Sequence, residues 1–173
     1  NKWEIDKIFN KKRTDDRKLW LGNYDKDAYL NTTRSSVQYE EFINNELIHF
    51  STYDCARSIP NMVDGLKISL RKILFSAFKR KLTSEIKVAQ FSGYVSEHSA
   101  YHHGEASLQS TIIGLAQNFV GSNNINFLKP NGQFGTRIMG GHDSASPRYI
   151  HTELNPIVDL IFPNSDFDLL KYN

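Results

Sequence analysis

The fold is decided by residues 87–119, KVAQFSGYVSEHSAYHHGEASLQSTIIGLAQNF. This stretch predicts a helix from about residue 87 to 97, a turn of small residues at Ser99-Ala100, and a second helix from about residue 104 to 118. One side of the second helix is apolar and carries Leu108, Ile112, Leu115 and Phe119. A helix, a short turn and a second helix form the arrangement of a helix-turn-helix.

The flanking segments extend this prediction on both sides. Before it, one helical face is apolar over Leu70, Ile73, Leu74, Ala77 and Phe78. After it, residues 121–147 are rich in Gly, Asn, Ser and Pro, which is typical of loops and short strands, and residues 157–162 predict a short helix or strand. The sequence therefore predicts a helix-rich α+β fold, a winged-helix domain with a helix-turn-helix.

The chain of 173 residues, 39% of them apolar, is long enough for one sizeable core. Its first 36 residues mix charges with few apolar side chains, and we expect a short helix and a connector there. Their only apolar cluster is Trp3, Ile5, Ile8 and Phe9. We divide the chain into a connector (1–36), the winged-helix domain (37–164) and the start of a further domain (165–173), and interpret it as a piece of a longer protein.

The composition excludes several classes of protein. The single cysteine, Cys55, excludes an internal disulfide and a multi-cysteine zinc module, and fits a reducing compartment. No apolar run reaches the roughly 18–20 residues of a membrane span, so no membrane partner is expected. The formal net charge is only +2, but residues 57–87 hold eight Lys and Arg against Asp64 and Glu85. This basic stretch fits either a phosphate-binding surface or a solvated helix face.

Three short motifs could suggest other chemistries. His103-Gly104-Glu105 matches one half of a zinc deaminase signature, but the downstream Pro-Cys-x-x-Cys half is missing. Asp166 and Asp168 could hold Mg²⁺ as a pair, but no third acid and no glycine-rich turn surround them. Residues 132–136 do not form a nucleotide-binding P-loop. The sequence therefore predicts no metal site in this chain.

Two other segments fit phosphate chemistry. His102 and His103 precede a predicted helix N-terminus, where backbone N–H groups and the helix dipole favour a phosphate, although histidines there also fit ordinary packing. In residues 143–149, DSASPRY, Arg148 stands beside Tyr149. An ordinary tyrosine phenol, with a pKa of about 10, is a weak nucleophile that positive neighbours activate. Attack on a phosphodiester would give an ester of similar energy, but a packed or surface tyrosine also fits this motif.

Several strings, in this order, resemble the breakage-reunion region of type IIA DNA topoisomerases of the eukaryotic type. They are ELIHFS (46–51), RSIPNMVDGLK (57–67), KVAQ (87–90), YHHGE (101–105), LAQNFVGSNN (115–124), GQFGTR (132–137) and DSASPRY (143–149). The similarity extends from about Val37 to Pro163. By this resemblance Tyr149 is the nucleophile, Arg148 stabilises the phosphate, and His103 and Arg57 belong to the active site.

The same resemblance implies a DNA-binding surface. Asp64, Lys67 and Arg71 match positions near the DNA backbone, and we expect Lys72, beside Arg71, and His102, beside His103, to bind DNA as well. The sequence departs from the family at residues 68–70, Ile-Ser-Leu, where Pro-Gly-Gln is usual.

The resemblance also implies the surroundings of this piece. Residues 1–36 would follow a toprim domain that carries the metal ligands, residues 37–164 would be the DNA-cleavage domain, and residues 165–173 would begin the tower domain. The full-length enzyme would be a nuclear homodimer that uses Mg²⁺ and ATP, breaks double-stranded DNA through a phosphotyrosine link, passes a second duplex and reseals the break. This fragment alone would be inactive and would bind neither cofactor.

The alternative is a non-catalytic winged-helix module that reads DNA sequence. Such a module needs Arg, Asn or Gln at base edges on its second helix. The outward positions there are Ala106, Ser107, Gln109 and Ser110. These residues favour the enzyme, because a topoisomerase contacts the DNA backbone with little regard to sequence.

Overall fold

The structure, a computed structural model, describes residues 2–170 and forms two compact units. The first unit ends at Ile68 and the second begins at Ser69. The boundary that we expect after residue 36 therefore lies inside the first unit, and two cores replace the single core expected from the composition.

The first unit consists of short helices around a small apolar core. They are α1 (Lys2–Phe9), α2 (Thr14–Gly22), α3 (Tyr39–Phe42), a π-helical turn (Ile43–Leu47) and α4 (Ile48–Ser58). Trp20 is buried with Ile43 and Ile48, and its Nε1–H donates to Oδ1 of Asn44 at 3.0 Å. Residues 1–36 thus contain more than the short helix and connector expected there, because a second helix, α2, supplies the largest side chain of this core.

The short helix expected near the start of the chain is α1, and its apolar residues divide between core and surface: Ile8 packs against the core of the first unit. Trp3 and Phe9 remain 58% and 69% exposed. The Trp3 ring lies on the surface under a cation, with the guanidinium carbon of Arg13 4.6 Å from its centroid. A single short helix presents these residues on more than one side, so only the part of it facing α2 can be buried.

The second unit contains the helix-turn-helix. Its elements are α5 (Ile68–Arg80), β1 (Ile86–Lys87), α6 (Val88–Ser99), α7 (Glu105–Ala116), β2 (His151–Thr152), α8 (Ile157–Ile161) and a 3₁₀ helix (Asn164–Leu169). The predicted helices α5, α6 and α7 are confirmed to within a few residues at their ends. Ala100, in the left-handed conformation at φ 48°, ends α6 and begins the turn.

The core of the second unit lies between these helices and the loop that follows them. Ile73 of α5, Leu108 and Ile112 of α7, and Ile150 before β2 all belong to one buried cluster. Burying an aliphatic side chain of this size stabilises a fold by about 1.5–3 kcal/mol. The helical periodicity in the sequence therefore identifies the faces that form this core.

The β structure of the wing is small. Strands β1 and β2 pair antiparallel, with Ile86 opposite Thr152, and isolated bridges join Leu128 to Leu154 and Asn131 to His151. Residues 121–147 otherwise form the irregular loop that their composition predicts. The fold is a helix-rich α+β winged helix, as predicted.

The end of the chain adds one short element. The 3₁₀ helix covers most of the segment 165–173, which we expect to begin a further domain, while residues 171–173 lie outside the described residues. Among the described helices, none combines the length and the apolarity needed to cross a membrane.

Candidate functional site

Tyr149 lies on a turn that the N-terminus of α6 holds by its backbone. The carbonyl oxygen of Pro147 accepts a hydrogen bond from the N–H of Ala89 at 3.0 Å, and that of Ile150 accepts one from the N–H of Val88 at 3.0 Å. The first N–H groups of a helix have no partner inside the helix, so they are available for these contacts. The backbone on both sides of Tyr149 is therefore fixed to α6.

The side chains on this turn divide between core and solvent. Ile150 is buried at 2% exposure, while Arg148 is exposed and Tyr149 is 78% exposed. A Cβ at Gly132 would lie 2.9 Å from Cγ2 of Ile150, so the backbone at Gly132 packs closely against the buried Ile150 side chain. This arrangement presents a phenol and a guanidinium, from adjacent residues, on an open surface that a large polymer can reach.

His102 and His103 lie in the turn before α7. Both are exposed, and their ring centroids are 5.7 Å apart. Gly104 caps the helix at φ 87°, and α7 begins at Glu105, as the sequence predicts. The two imidazoles thus stand beside a helix N-terminus, where an anion is favoured.

The basic residues of α5 differ in their environment. Arg71 is exposed, whereas Lys72 is half-buried and its Nζ donates to the carbonyl oxygen of Ala100 at 3.0 Å. The Lys72 ammonium thereby binds the turn at the C-terminal end of α6, which leaves it other donor positions for a phosphate.

The other three predicted residues belong to the first unit. Arg57, in the last turn of α4, donates through Nη2 to Oδ1 of Asp54 at 2.5 Å. Asp64 accepts a hydrogen bond from the N–H of Leu66 at 2.9 Å and so stabilises a turn, while Lys67 is exposed. An ionised carboxylate offers no donor to a phosphate, so the contact observed for Asp64 shapes the backbone before Lys67.

The described residues offer no metal site of the usual kind. No group of three or more His, Cys, Asp or Glu side chains that could hold a metal ion occurs within residues 2–170. Asp166 and Asp168 are exposed on the 3₁₀ helix. A cavity of about 460 Å³ lies in the first unit, around Trp3, Leu19 and Trp20, and none of the predicted site residues lines it.

Three residues whose side chains shape the loop before Tyr149 are not predicted from the sequence. Thr136 donates from its backbone N–H and its hydroxyl to the carboxylate of Asp143, and Gln117 donates from Nε2 to two loop carbonyls. The hydrogen bonds from Thr136, the backbone one first, hold the pKa of Asp143 below its ordinary value of 3.8. The concentration of Gly, Thr and Asp around residues 132–143 is the signal that could indicate a shaped loop here.

Comparison with known proteins gives two family matches. The family model that describes the A subunit of DNA gyrase and topoisomerase IV matches residues 57–173. The model described as the C-terminal associated domain of TOPRIM matches residues 1–55.

Individual proteins match nearly the whole chain. A probable DNA topoisomerase 2 of Dictyostelium discoideum is 58% identical over 168 residues, which cover 96% of this chain and 11% of that protein. DNA topoisomerase 2 of Saccharomyces cerevisiae is 56% identical over 168 residues, 97% of this chain and 12% of that protein. The crystal structure of the Plasmodium falciparum topoisomerase II DNA-binding, cleavage and re-ligation domain matches with a TM-score of 0.85 and 54% identity, covering 98% of this chain and 23% of the other. The chain thus spans about a tenth of the length of these curated relatives.

Proposed function

This chain belongs to the type II DNA topoisomerases, in the DNA gyrase/topoisomerase IV family, and we propose that it carries the nucleophile with which such an enzyme cleaves DNA. The nucleophile is Tyr149. The observation that carries this proposal is the exposed phenol of Tyr149 beside Arg148, on a turn whose two flanking carbonyl groups are bound to α6.

The proposed reaction is a transesterification. The phenol oxygen of Tyr149, having lost its proton to solvent, attacks a DNA phosphorus and forms a new oxygen–phosphorus bond. The bond from that phosphorus to a deoxyribose oxygen breaks, and the departing oxygen takes up a proton. Arg148, together with His103 and Arg57, would balance the negative charge of the attacked phosphate. One ester replaces another, so the reverse reaction reseals the strand.

The DNA would bind through its phosphates. Lys67, Arg71 and Lys72 supply positive charge, His102 stands at a helix N-terminus, and Asp64 shapes the turn before Lys67. On α7, the Gln109 amide donates to Oε1 of Glu105 at 2.7 Å and to Oγ of Ser92 at 3.3 Å. This engaged amide is poorly placed to read a base edge, which argues against the sequence-reading module.

Mg²⁺ and ATP would be used by other parts of the full-length enzyme. Within residues 2–170 there is no group of three or more His, Cys, Asp or Glu side chains that could hold a metal ion, and the sequence contains no P-loop motif. We propose that the full-length enzyme is a homodimer and that carboxylates of a toprim domain in the partner subunit hold Mg²⁺. Residues 1–36 would follow such a domain in this chain. Residues 37–164 would form the cleavage domain, and residues 165–173 would begin the next domain. The enzyme would act on double-stranded DNA in the nucleus, passing one duplex through another.

The decisive experiment is the trapping of a denaturant-stable DNA adduct by the full-length enzyme with Mg²⁺. Tyr149→Phe should abolish the adduct and retain DNA binding, because only the phenol oxygen is removed. Tyr39→Phe is the matched control, since Tyr39 is also exposed, at 59%. The enzyme with this substitution should cleave DNA at the normal rate. Mass spectrometry should place the DNA on Tyr149. An adduct that survives Tyr149→Phe, or maps to Tyr101, would contradict the proposal, and DNA binding without any adduct would favour the non-catalytic module.

A further inference from the structure

Thr136 and Asp143 are joined across a loop by two hydrogen bonds to the Asp143 carboxylate. Oδ1 of Asp143 accepts the backbone N–H of Thr136 at 2.7 Å, and Oδ2 accepts the Thr136 hydroxyl at 2.8 Å. The backbone N–H of Gly141 also donates to the carbonyl oxygen of Thr136 at 2.9 Å. The base of the loop formed by residues 136–143 is therefore closed by three hydrogen bonds, two of which depend on one carboxylate.

A second contact fixes this loop to the helix-turn-helix. Nε2 of Gln117, immediately after α7, donates to the carbonyl oxygens of Phe134 at 2.8 Å and Gly141 at 3.1 Å. Phe134 is itself buried at 3% exposure. The loop on both sides of Thr136 is thus attached to α7 and to the core. Because Asp143 binds Thr136, the start of the segment 143–149 is held in place as well.

The segment that begins at Asp143 leads directly to Tyr149. Between them, the N–H of Ala145 donates to the carbonyl oxygen of Gln133 at 2.9 Å, and the N–H of Tyr149 donates to that of Ser146 at 2.9 Å. The segment is held at its downstream end by α6 and at its upstream end by Asp143 and Ala145. The Tyr149 side chain is 78% exposed, so the backbone on either side largely determines where the phenol stands.

We infer that Asp143 is a positioning residue for Tyr149, a role that rests on the proposed function of that tyrosine. Its carboxylate touches neither DNA nor the reacting oxygen. By binding Thr136 it fixes the upstream end of the segment 143–149, and so the line along which the phenol approaches the phosphorus. A nucleophile that stands about 1 Å out of place can lose on the order of 100-fold in rate.

The test compares cleavage rate with DNA affinity in the full-length enzyme. The single-turnover rate of adduct formation is measured at saturating DNA, and the Kd separately by fluorescence anisotropy. Asp143→Ala should lower the rate by about 10- to 100-fold and leave the Kd unchanged. Thr136→Val, which keeps the backbone N–H and so one of the two bonds, should lower the rate less, and Thr136→Ser should restore it. The double variant Asp143→Ala/Thr136→Val should be no slower than Asp143→Ala.

Two control variants separate positioning from general stability. Asp159→Ala removes an exposed carboxylate from α8, and Val158→Ala opens the core under the same helix. Both should cleave at the normal rate below their melting temperatures. The inference is overturned if Asp143→Ala cleaves at the normal rate. It is also overturned if Val158→Ala and Asp143→Ala lower Tm equally and slow cleavage equally, because the slower rate would then follow from lost stability alone. If Asp143→Ala does not fold, a normal rate in Thr136→Val overturns it instead.

The outcome for Tyr149→Phe distinguishes the two proposals. If that variant still forms the adduct, the proposed function fails, and the inference fails with it. If that variant forms no adduct while Asp143→Ala and Thr136→Val keep the normal rate, only the positioning role is refuted.

Discussion

Gly135 and Gly141 are in direct backbone contact: a Cβ at Gly135 would lie 2.6 Å from both the Cα and the carbonyl oxygen of Gly141. Gly135 also has φ 106°, a conformation that side chains with a Cβ rarely adopt. The two arms of the loop before Tyr149 can approach this closely only because Gly135 lacks a side chain, while a Cβ at Gly141 would instead meet the side-chain amide of Gln117.

Gly135→Ala should therefore destabilise the second unit by about 3 kcal/mol or more, because strain at positive φ adds to a clash with backbone that cannot move aside. Chemical denaturation of the chain measures this loss. Gly93→Ala is the control: Gly93 lies within α6 with nothing within 4 Å of an added Cβ, so alanine should stabilise that helix by about 0.5–1 kcal/mol. Equal effects of the two substitutions would show that the loop is not closed as described.

Asp143 should titrate below its ordinary value, since the hydrogen bonds from Thr136 favour the charged carboxylate. Its folded-state pKa is lowered, so its contribution to stability is present above the ordinary, unfolded-state value of 3.8 and is lost as the pH falls through the folded-state pKa. Carbon NMR of the carboxyl group measures this titration. Thr136→Val should move the pKa of Asp143 upward and Thr136→Ser should leave it low; an unchanged value in Thr136→Val would mean that the hydroxyl does not bind it.

Arg148→Ala and His103→Ala should slow DNA cleavage without abolishing it. Each removes a charge or a hydrogen bond from the attacked phosphate and leaves the phenol of Tyr149 intact, and loss of one such group costs on the order of 10²–10³ in rate. Single-turnover adduct formation by the full-length enzyme is the measurement. Arg148→Lys keeps the charge and should retain more activity than Arg148→Ala. A normal rate in Arg148→Ala would exclude contact between this side chain and the phosphate.

Binding of DNA should weaken steeply with salt, because phosphate contacts release counterions. Neutralising Lys67 and Arg71 together should flatten the slope of log K against log salt by about one to two units, with little dependence on DNA sequence. Lys18→Ala is the control, since Lys18 is exposed on α2 and paired with Asp15. The same slope in the Lys67/Arg71 variant and in the wild type would place these two residues away from the DNA.

The sequence predicts the helices of the second unit because their signal is local. Ile73 and Ala77, or Leu108 and Ile112, recur at helical spacing, and any helix that buries one of them must bury the other. The first unit has a local pattern that predicts only one short helix, within residues 1–36. Its core depends on Trp20 meeting Ile43 and Ile48, and on a hydrogen bond to Asn44 that spans 24 residues.

The sequence by itself determined the residue types of the candidate site: Tyr149 beside Arg148, two histidines before a helix, and a basic stretch. It determined the α6–turn–α7 unit as well, since helical periodicity and a turn of small residues act over a few positions. Only the tertiary structure decided that the carbonyls of Pro147 and Ile150 meet the N-terminus of α6, and that Asp143 binds Thr136. Such contacts join segments that are distant in sequence or lie in an irregular loop. A hydrogen bond forms only when donor and acceptor are placed to within a few tenths of an ångström, and no residue pattern encodes atomic positions that finely.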